Sequence, residues 1–350
     1  MQEKILTDIK NGKETDWKGR RLQTEKQREV YRRLSRGGKI ARFVLRVKQL
    51  DGCATLVEKR GGRIYRVNFC KCRLCPHCAK RRSMKIFGQV SEVMNKVQSE
   101  NEYSYVFLTL TAKNVKGEDL QEELKRYFKS WDRMTKRKVF KNAVEGWFRA
   151  LEVEYDGDKR ITKKKYKKSK KYYDNHGIKV GDENPNYDMY HPHFHVILAV
   201  EKRYFKDSDK YITQKEWVEL WGECMRLDYL PSVFVCKVKP KKDKEGNEKS
   251  LEGAVAEVAK YTVKPETLKF EKAVEVLDYA LEGRRLVAFG GALKEAHKKL
   301  DLDDAVDGEL GQTHNEKIRD DIDDMIERYQ WRVGFAGFNY YLVEDEENDC

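Results

Sequence analysis

Three stretches of the chain have the residue pattern of β-strands. Residues 190–199 alternate polar and apolar side chains, which predicts a strand with one buried face. Residues 103–111 form a run rich in β-branched and aromatic residues that predicts a central strand, and residues 145–155 predict a further one. The second and third of these strands along the chain are expected to form a hairpin with a long loop at its tip.

Helical spacing of apolar residues alternates with these strands. Residues 119–138 carry a stripe that is expected to lie in the core, namely Leu120, Leu124, Phe128, Trp131 and Met134. The other expected elements are helical segments at 16–49, 81–100, 214–227 and 251–263, the last ended by Pro265, short strands at 63–69 and 232–239, a Gly-rich turn at 289–291, an acidic helix at 317–329 and a β-like run at 331–343.

Charge is distributed unevenly along the chain. The 350 residues are enough for about two domains, and 39% of them are hydrophobic, so a substantial core can form. The net charge is +13, yet the last fifty residues carry −12, which leaves +25 on residues 1–300. A basic body of this kind favours a polyanionic partner, most often nucleic acid, although a solubility role is the alternative. Residues 1–50 are predicted to form a basic helical arm, either for DNA contact or as a solvated surface helix.

The chain has no sequence signal for a membrane. The charged start Met1-Gln2-Glu3-Lys4 is not followed by an apolar core, and the apolar run at 194–200 is far shorter than the ~20 residues of a membrane span. The sequence therefore predicts a cytoplasmic protein. Cytosolic thiols stay reduced, so the eight cysteines indicate metal binding before disulfides.

Three histidines lie on one face of the strand at 190–199. His191, His193 and His195 alternate along it, and imidazole is a favoured ligand of divalent transition metals. A third ligand is expected from the neighbouring strand, with Glu152 as first choice and Glu154 as the alternative, because register cannot be read from sequence to one residue pair. Two imidazoles and a carboxylate favour Mn²⁺ or Mg²⁺ acting on phosphate, and Zn²⁺ is also compatible. The alternative is a half-buried strand whose histidines only form hydrogen bonds.

A second group of reactive side chains precedes Pro265. Glu257 and Tyr261 are four residues apart on one helix face, and Lys260 lies beside them. Beside a metal site, an activated tyrosine can attack a phosphodiester, a lysine can offset phosphate charge, and a glutamate can act as a general base. An ordinary helix surface is the alternative.

A third group is rich in cysteine. Cys75 and Cys78 have the spacing of a zinc knuckle, and Cys53 with either Cys70 or Cys72 can complete a tetrahedral site. Reduced thiols packed as small hydrophobes are the alternative. The adjacent basic residues Lys80, Arg81 and Arg82 favour contact with a phosphate backbone, and Cys224, Cys236 and Cys350 are isolated.

A lysine-rich insertion, residues 159–171, interrupts the predicted hairpin. It contains nine Lys or Arg residues and no acidic residue. Such a segment is either a phosphate-contacting loop or a solvated run of charge.

Together these motifs resemble the replication initiators of small Gram-positive rolling-circle plasmids, within the His-hydrophobic-His (HUH) endonuclease superfamily. The resemblance is carried by residues 107–111 (Phe-Leu-Thr-Leu-Thr), by 191–196 (His-Pro-His-Phe-His-Val) and by Glu257-x-x-Lys260-Tyr261, in the family's order. The cysteine segment from Asn68 to Ser83 is also similar, so the resemblance covers roughly residues 50–290.

The resemblance implies both fold and reaction. The fold would be α+β, with a central antiparallel sheet of about five strands flanked by helices (HUH or ferredoxin-like) and an N-terminal zinc-binding segment. The enzyme would nick one strand of the plasmid's double-strand origin, exposed in a hairpin, and stay joined to the 5′ phosphate through Tyr261 while the 3′ end primes synthesis. Glu257 would activate water in the terminating cleavage. A host helicase and polymerase would be partners.

The family pattern also implies ligands and domains. The zinc ligands would be Cys53, Cys70, Cys75 and Cys78, which leaves Cys72 extra. The expected domains are a basic arm (1–50), a zinc-binding segment with a helix (51–100), an HUH catalytic domain (101–265) and a C-terminal extension with an acidic helix (266–350). The alternative functions are a noncatalytic zinc-dependent DNA-binding regulator, or a relaxase or transposase of the same superfamily. The sequence leaves the oligomeric state open.

Overall fold

The computed structural model describes residues 4–10, 12–36, 40–206, 209–238, 255–256, 258–259, 262–304, 306–311 and 326–343. The helices and strands within these residues are, in chain order, β1 (Ile9–Lys10), β2 (Lys13–Glu14), α1 (Trp17–Ser35), α2 (Ala41–Asp51), β3 (Leu56–Arg60), β4 (Arg63–Val67), α3 (Pro76–Glu100), β5 (Tyr103–Thr111), β6 (Val115–Lys116), α4 (Leu120–Lys136), α5 (Lys138–Ala143), β7 (Gly146–Asp156), α6 (Lys163–Lys168), α7 (Lys170–Asn175), β8 (Met189–Glu201), α8 (Gln214–Met225), β9 (Val233–Lys237), α9 (Glu271–Ala280), β10 (Val287–Gly290), α10 (Gly291–Lys299), β11 (Ile326–Gly334) and β12 (Gly337–Val343).

The chain divides into two compact units. One contains residues 1–96, 259–261 and 296–350, and the other contains residues 97–258 and 262–295. The α+β class with antiparallel sheets and flanking helices is confirmed.

The second unit is built on an antiparallel sheet. Within the described residues its strands follow the order β10-β7-β8-β5-β9, and the short β6 pairs with β8 as a sixth strand. β8 therefore lies in the middle, paired with β7 on one side and with β5 on the other. Strand register places Glu152 opposite His193 and Thr109 opposite His195. Because directly opposite residues share a face, these side chains converge.

The other face of β8 is the core of this unit. Phe194 is fully buried. It meets the rings of Tyr127 and Trp131 edge-on, at centroid distances of 5.3 and 6.1 Å. It meets the ring of Trp221 at a tilt, at a centroid distance of 6.3 Å. These aromatic residues belong to α4 and α8, whose apolar stripes face the sheet. Period-two alternation along β8 thus sends the histidines to one face and the core residues to the other.

Pro192 occupies a position in this central strand that tolerates a missing amide hydrogen. β5 pairs with β8 up to His193, and β6 pairs with it from Tyr190, so neither strand is paired with Pro192. Val153, opposite Pro192 on β7, donates its N–H in the other direction, to the carbonyl of Thr262. The proline therefore removes no ladder hydrogen bond.

The first unit contains a four-stranded antiparallel sheet, described in the order β12-β11-β3-β4. Trp17 at the start of α1 packs against Tyr340 of this sheet and against His77 of α3. The buried guanidinium of Arg21 donates to the carbonyls of Leu50, Asp51 and Cys53. These bonds fix α1 against the end of α2, close to the first cysteine of the predicted zinc site.

The predicted acidic helix is wrong over its last four residues. Residues 326–329 belong to β11, where Tyr329 is buried opposite Val57 of β3. Pairing with a distant strand overrides the local helical pattern there. The remainder of the predicted helix, residues 317–325, lies outside the described residues, as does most of the helix predicted at 251–263.

Across the described parts of the chain, every helix is either too short or too polar to span a bilayer.

Candidate metal centres

Three side chains of the second unit converge on one point of the sheet. The Nε2 atoms of His193 and His195 lie 3.3 and 3.0 Å from the same carboxylate oxygen, Oε2 of Glu152. The two Nε2 atoms are 3.1 Å from each other. All three residues are at least nine-tenths buried. The carboxylate expected first from the sequence is therefore the one that the register brings to the histidines, and the group could hold a metal ion.

The opposite nitrogen of each ring has its own oxygen partner. Nδ1 of His193 lies 3.2 Å from the carbonyl oxygen of His191, and Nδ1 of His195 lies 3.3 Å from the hydroxyl of Thr109. A carbonyl only accepts, so the Nδ1 of His193 donates this bond, and the ring is turned so that its Nε2 faces Glu152 and His195. Such an outer hydrogen bond is the usual way of orienting a metal-binding imidazole. The donor set fits a divalent cation.

Electrostatics keep the carboxylate of this group ionised. Burial alone raises the pKa of Glu152, but the hydrogen bonds from His193 and His195 outweigh it and hold the pKa well below its usual range. A permanently charged carboxylate beside two imidazoles is a suitable cation ligand.

His191 and Glu154 do not join this group. They pair with each other across β7 and β8, one step further along the strands. Burial, with the nearby His193, lowers the pKa of His191 to about 4, so its ring is neutral at pH 7. Glu154 forms an ion pair with Lys264, whose Nζ also lies 3.6 Å from Oε1 of Glu152. Burial lowers the pKa of Lys264, but the hydrogen bond to Glu154 outweighs it and raises the pKa overall.

The chain just before Lys264 adds to the edge of β7. Val263 pairs with Val153 in a parallel bridge, and Thr262 accepts the N–H of Val153 at 2.8 Å. Val153 stands between Glu152 and Glu154, so this segment runs beside the carboxylates. The remaining predicted site residues, Glu257, Lys260 and Tyr261, lie outside the described residues.

Four cysteines of the first unit form a second cluster. Sγ of Cys53 lies 3.6 Å from Sγ of Cys75 and 3.5 Å from that of Cys78, and the sulfurs of Cys70 and Cys78 are 3.6 Å apart. Tetrahedral zinc with bonds of about 2.3 Å would separate its sulfurs by about 3.8 Å. The cluster is thus a candidate zinc site with four thiolate ligands. Cys72 is buried but does not belong to this cluster of described residues.

Backbone strain accompanies this cluster. Ala54 and Lys71, each directly after one of the clustered cysteines, adopt left-handed conformations with φ of 52° and 56°. Such conformations cost non-glycine residues about 1 kcal/mol or more and persist only where the surroundings hold them. Four sulfurs held around one point supply such a constraint.

The interpretation that Arg81 and Arg82 contact a phosphate backbone is wrong. Both are buried, and their Nε atoms donate to the carbonyls of Leu310 and Val306 at 2.9 and 2.8 Å. Close by on α3, the ammonium group of Lys85 forms an ion pair with Asp303. The sequence showed a basic run, but the fold uses it to hold Asp303, Val306 and Leu310.

Sequence reasoning missed two residues at the histidine site. Thr109 lies in the first motif, and strand alternation would have placed its hydroxyl on the histidine face once the pairing of β5 with β8 was known. Lys264 has no local signal that distinguishes it from the other lysines of the chain. Its role depends on the bridge between residues 153 and 263.

The two centres differ in the chemistry that they allow. The cysteine cluster offers four protein ligands, which would fill a zinc ion's coordination and suit a structural site. The second group offers only Glu152, His193 and His195, which would leave coordination positions for water or a substrate oxygen.

Comparison with known proteins identifies the family. The replication protein family Rep_1 matches residues 61–341. The chain is 35% identical over 335 residues to "Protein rep" of Bacillus amyloliquefaciens, which covers 89% of this chain and 90% of that protein. It is 32% identical over 331 residues to "Protein rep" of Streptococcus pneumoniae serotype 2, with 93% and 90% covered. It is also 32% identical over 352 residues to "Protein rep" of Lentilactobacillus hilgardii, with 98% and 100% covered.

No solved structure shows a significant match to the chain. The family match spans most of the residues, and these relatives align over nearly their whole length. The chain therefore belongs to the replication proteins of rolling-circle plasmids, the Rep initiators of the His-hydrophobic-His superfamily.

Proposed function

We propose that this replication protein is a site-specific nickase and strand transferase that cleaves one strand of its plasmid's double-strand origin. The observation that carries the proposal is the buried group of Glu152, His193 and His195, whose three ligand atoms lie 3.0 to 3.3 Å apart. A structural role would not require two imidazole nitrogens and a charged carboxylate to converge on one buried point. A divalent cation, Mn²⁺ or Mg²⁺, satisfies all three.

The reaction needs charge stabilisation on a phosphodiester. When bound, the cation supplies Lewis-acid polarisation of a phosphoryl oxygen. Glu152 and the two histidines fix where that oxygen can lie, while Nδ1 contacts with His191 and Thr109 keep the rings from rotating.

Tyr261 is the proposed nucleophile. Its phenol loses a proton to a base, its oxygen forms a bond to phosphorus, and the bond from phosphorus to the 3′ oxygen breaks. The 3′ oxygen takes up a proton and becomes the free hydroxyl that primes synthesis, while the 5′ phosphate remains on Tyr261. Free phenols have a pKa near 10, so activation is needed at neutral pH.

The position of Thr262 supports this role. Thr262 follows Tyr261 in the chain, and its carbonyl accepts a hydrogen bond from Val153, the neighbour of Glu152. This bond places Thr262 itself beside the strand that carries the carboxylate. Lys264 contributes a positive charge beside Glu152, and Lys260 is a second proposed cation for the phosphate.

Glu257 is the proposed general base of the terminating cleavage. It would take a proton from water, whose oxygen bonds to the phosphorus of the regenerated nick site; the bond from that phosphorus to the 3′ oxygen breaks, and the 3′ oxygen takes up a proton. This assignment rests on the Glu257-x-x-Lys260-Tyr261 motif.

The remaining parts of the proposal concern partners. The Cys53, Cys70, Cys75 and Cys78 cluster would hold structural Zn²⁺. The substrate would be plasmid origin DNA, with a hairpin and a single-stranded nick site, and a host helicase and polymerase would continue replication in the cytoplasm. A relaxase or transposase of the same superfamily would share the chemistry but act on other DNA.

The test is covalent adduct formation. The wild-type protein and Tyr261→Phe are incubated with labelled oligonucleotides that tile the plasmid origin, with Mn²⁺ or with EDTA. We expect a protein–DNA adduct only for the wild type with Mn²⁺, and comparable DNA binding by both proteins. An adduct formed by Tyr261→Phe would refute the nucleophile. A wild-type protein that binds every oligonucleotide and cleaves none would instead be a noncatalytic regulator.

A further inference from the structure

The connection between β7 and β8 is a folded element rather than an extended loop. It contains α6 and α7 and the lysine-rich insertion. Its two ends are joined by a bridge between Arg160 and Glu183, and the N–H of Ile161 donates to Asp182. Ile161 and Tyr173 are buried, and Tyr173 stacks on Tyr166 at a centroid distance of 5.9 Å. The lysines of this segment are therefore presented from a defined scaffold.

One side of the insertion is attached to the sheet by acidic residues. Lys165 forms ion pairs with Asp156 and with Asp158, the latter at 3.0 Å. Nζ of Lys168 lies 3.7 Å from Oε2 of Glu154. These contacts account for two lysines of the insertion and anchor it to the end of β7.

On the outer side of the insertion, the lysines have no partner among the described residues. Five exposed ammonium groups have no hydrogen bond or ion pair within the described residues, namely Lys163, Lys164, Lys167, Lys170 and Lys171. Lys163 and Lys167 are four residues apart on α6, a spacing at which like charges destabilise a helix. The insertion thus carries uncompensated repulsion that a polyanion would relieve.

The insertion borders the histidine site. Glu152, Glu154 and Asp156 follow one another at alternate positions of β7, so they share one face. Glu152 faces the histidines, Glu154 contacts Lys168 and Asp156 contacts Lys165. The four-residue step from Glu152 to Asp156 spans about 14 Å along the strand. DNA rises 3.4 Å per base pair, so this is a separation of about four base pairs.

We propose that the outer lysines of the insertion bind the phosphate backbone of the base-paired stem that flanks the nicked strand. Placement of the scissile phosphate at Glu152, His193 and His195 rests on the proposed function. From there, Asp156, to which Lys165 anchors the insertion, lies at a distance of about four base pairs along β7. Flexible ammonium groups contact phosphates without reading bases, so the insertion supplies affinity and orientation and not sequence choice.

The experiment compares two triple variants of the full-length protein that remove the same charge. The test variant is Lys163→Gln/Lys167→Gln/Lys170→Gln. The control is Lys129→Gln/Lys138→Gln/Lys141→Gln, which alters exposed lysines of α4 and α5. α4 packs on Phe194, on the face of the sheet opposite the histidines. Thermal unfolding of each variant checks that both remain folded.

Binding is measured in EDTA with a labelled DNA stem–loop and with a single-stranded oligonucleotide of the same length, across a range of salt concentrations. We expect the test variant to bind the stem–loop at least about tenfold more weakly than the wild type at low salt. For this variant, the slope of log affinity against log salt concentration should be less negative by about 2 to 3, since each lost phosphate contact changes the slope by about 0.9. The control should change affinity by about twofold or less.

Three results would overturn the inference: wild-type stem–loop affinity in the test variant, equal losses in both triple variants, or equal losses on the stem–loop and on the single strand. Cleavage is blocked in these measurements, so they do not depend on the nicking chemistry. Absence of a wild-type adduct in the origin-tiling assay would refute the proposed function separately.

Discussion

Tyr127→Phe tests how the aromatic core positions the histidine strand. The Tyr127 side chain is fully buried, and its hydroxyl donates to the carbonyl of Pro192 at 2.7 Å. Pro192 lies between His191 and His193, at the place where neither β5 nor β6 is paired with β8. Burial raises the pKa of Tyr127 well above its ordinary value, so the hydroxyl stays protonated and can donate.

The expected magnitude follows from what the substitution leaves behind. Phenylalanine keeps the ring packing against Phe194 and Trp221, at 5.3 and 5.6 Å, and removes only the hydroxyl. The carbonyl of Pro192 then lacks this donor in a buried site, which costs about 1 to 3 kcal/mol. If 1.4 kcal/mol of that loss reached the metal site, Mn²⁺ would bind about tenfold more weakly.

The assay is urea unfolding of the metal-free protein, with calorimetric titration of Mn²⁺ as a second measurement. Tyr211→Phe is the control, because the Tyr211 ring is 45% exposed. We expect it to change the free energy of unfolding by about 0.5 kcal/mol or less. If the two variants unfold at the same urea concentration, the bond to Pro192 does not stabilise the strand and the reasoning is wrong.

Five further variants test the two centres and the terminating cleavage. Glu152→Gln should weaken Mn²⁺ binding at least about 100-fold because it removes a charged ligand, whereas Glu154→Gln should have little effect. If titration calorimetry finds equal losses of Mn²⁺ affinity in the two variants, the ligand assignment is contradicted. Cys70→Ser should lower the zinc content measured by mass spectrometry, and Cys72→Ser should leave it near one ion per chain. Loss of zinc from Cys72→Ser and not from Cys70→Ser would make Cys72 the ligand in place of Cys70. Glu257→Ala should form the first adduct at the wild-type rate and release little closed product, and equal loss of both steps would place Glu257 elsewhere in the mechanism.

The histidine face was predictable because strand alternation is a local property of the chain. His193 and His195 share a face whenever residues 189–201 form a strand, whichever strands pair with it. The choice between Glu152 and Glu154 was different. Both lie on one face of β7, and only the register, which pairs Glu152 with His193, decides between them.

The environment of the basic side chains could not be predicted from the sequence. A run of positive charge in the sequence does not say which side chains stay in water. Arg81 and Arg82 donate hydrogen bonds to backbone carbonyls of a segment distant in the chain, while Lys163 and Lys167 are exposed. The same uncertainty applied to the predicted acidic helix, which pairing with β3 partly converts into a strand.

The sequence by itself determined the family motifs, the spacing of the cysteines and the face on which the histidines lie, because these depend on residue type and on periodicity over a few positions. Only the tertiary structure decided that Glu152 completes the histidine group, that Lys264 reaches it and that Cys72 stays outside the sulfur cluster. Each of these outcomes depends on contacts between residues far apart in the chain, and such contacts are fixed by strand register and packing rather than by local pattern.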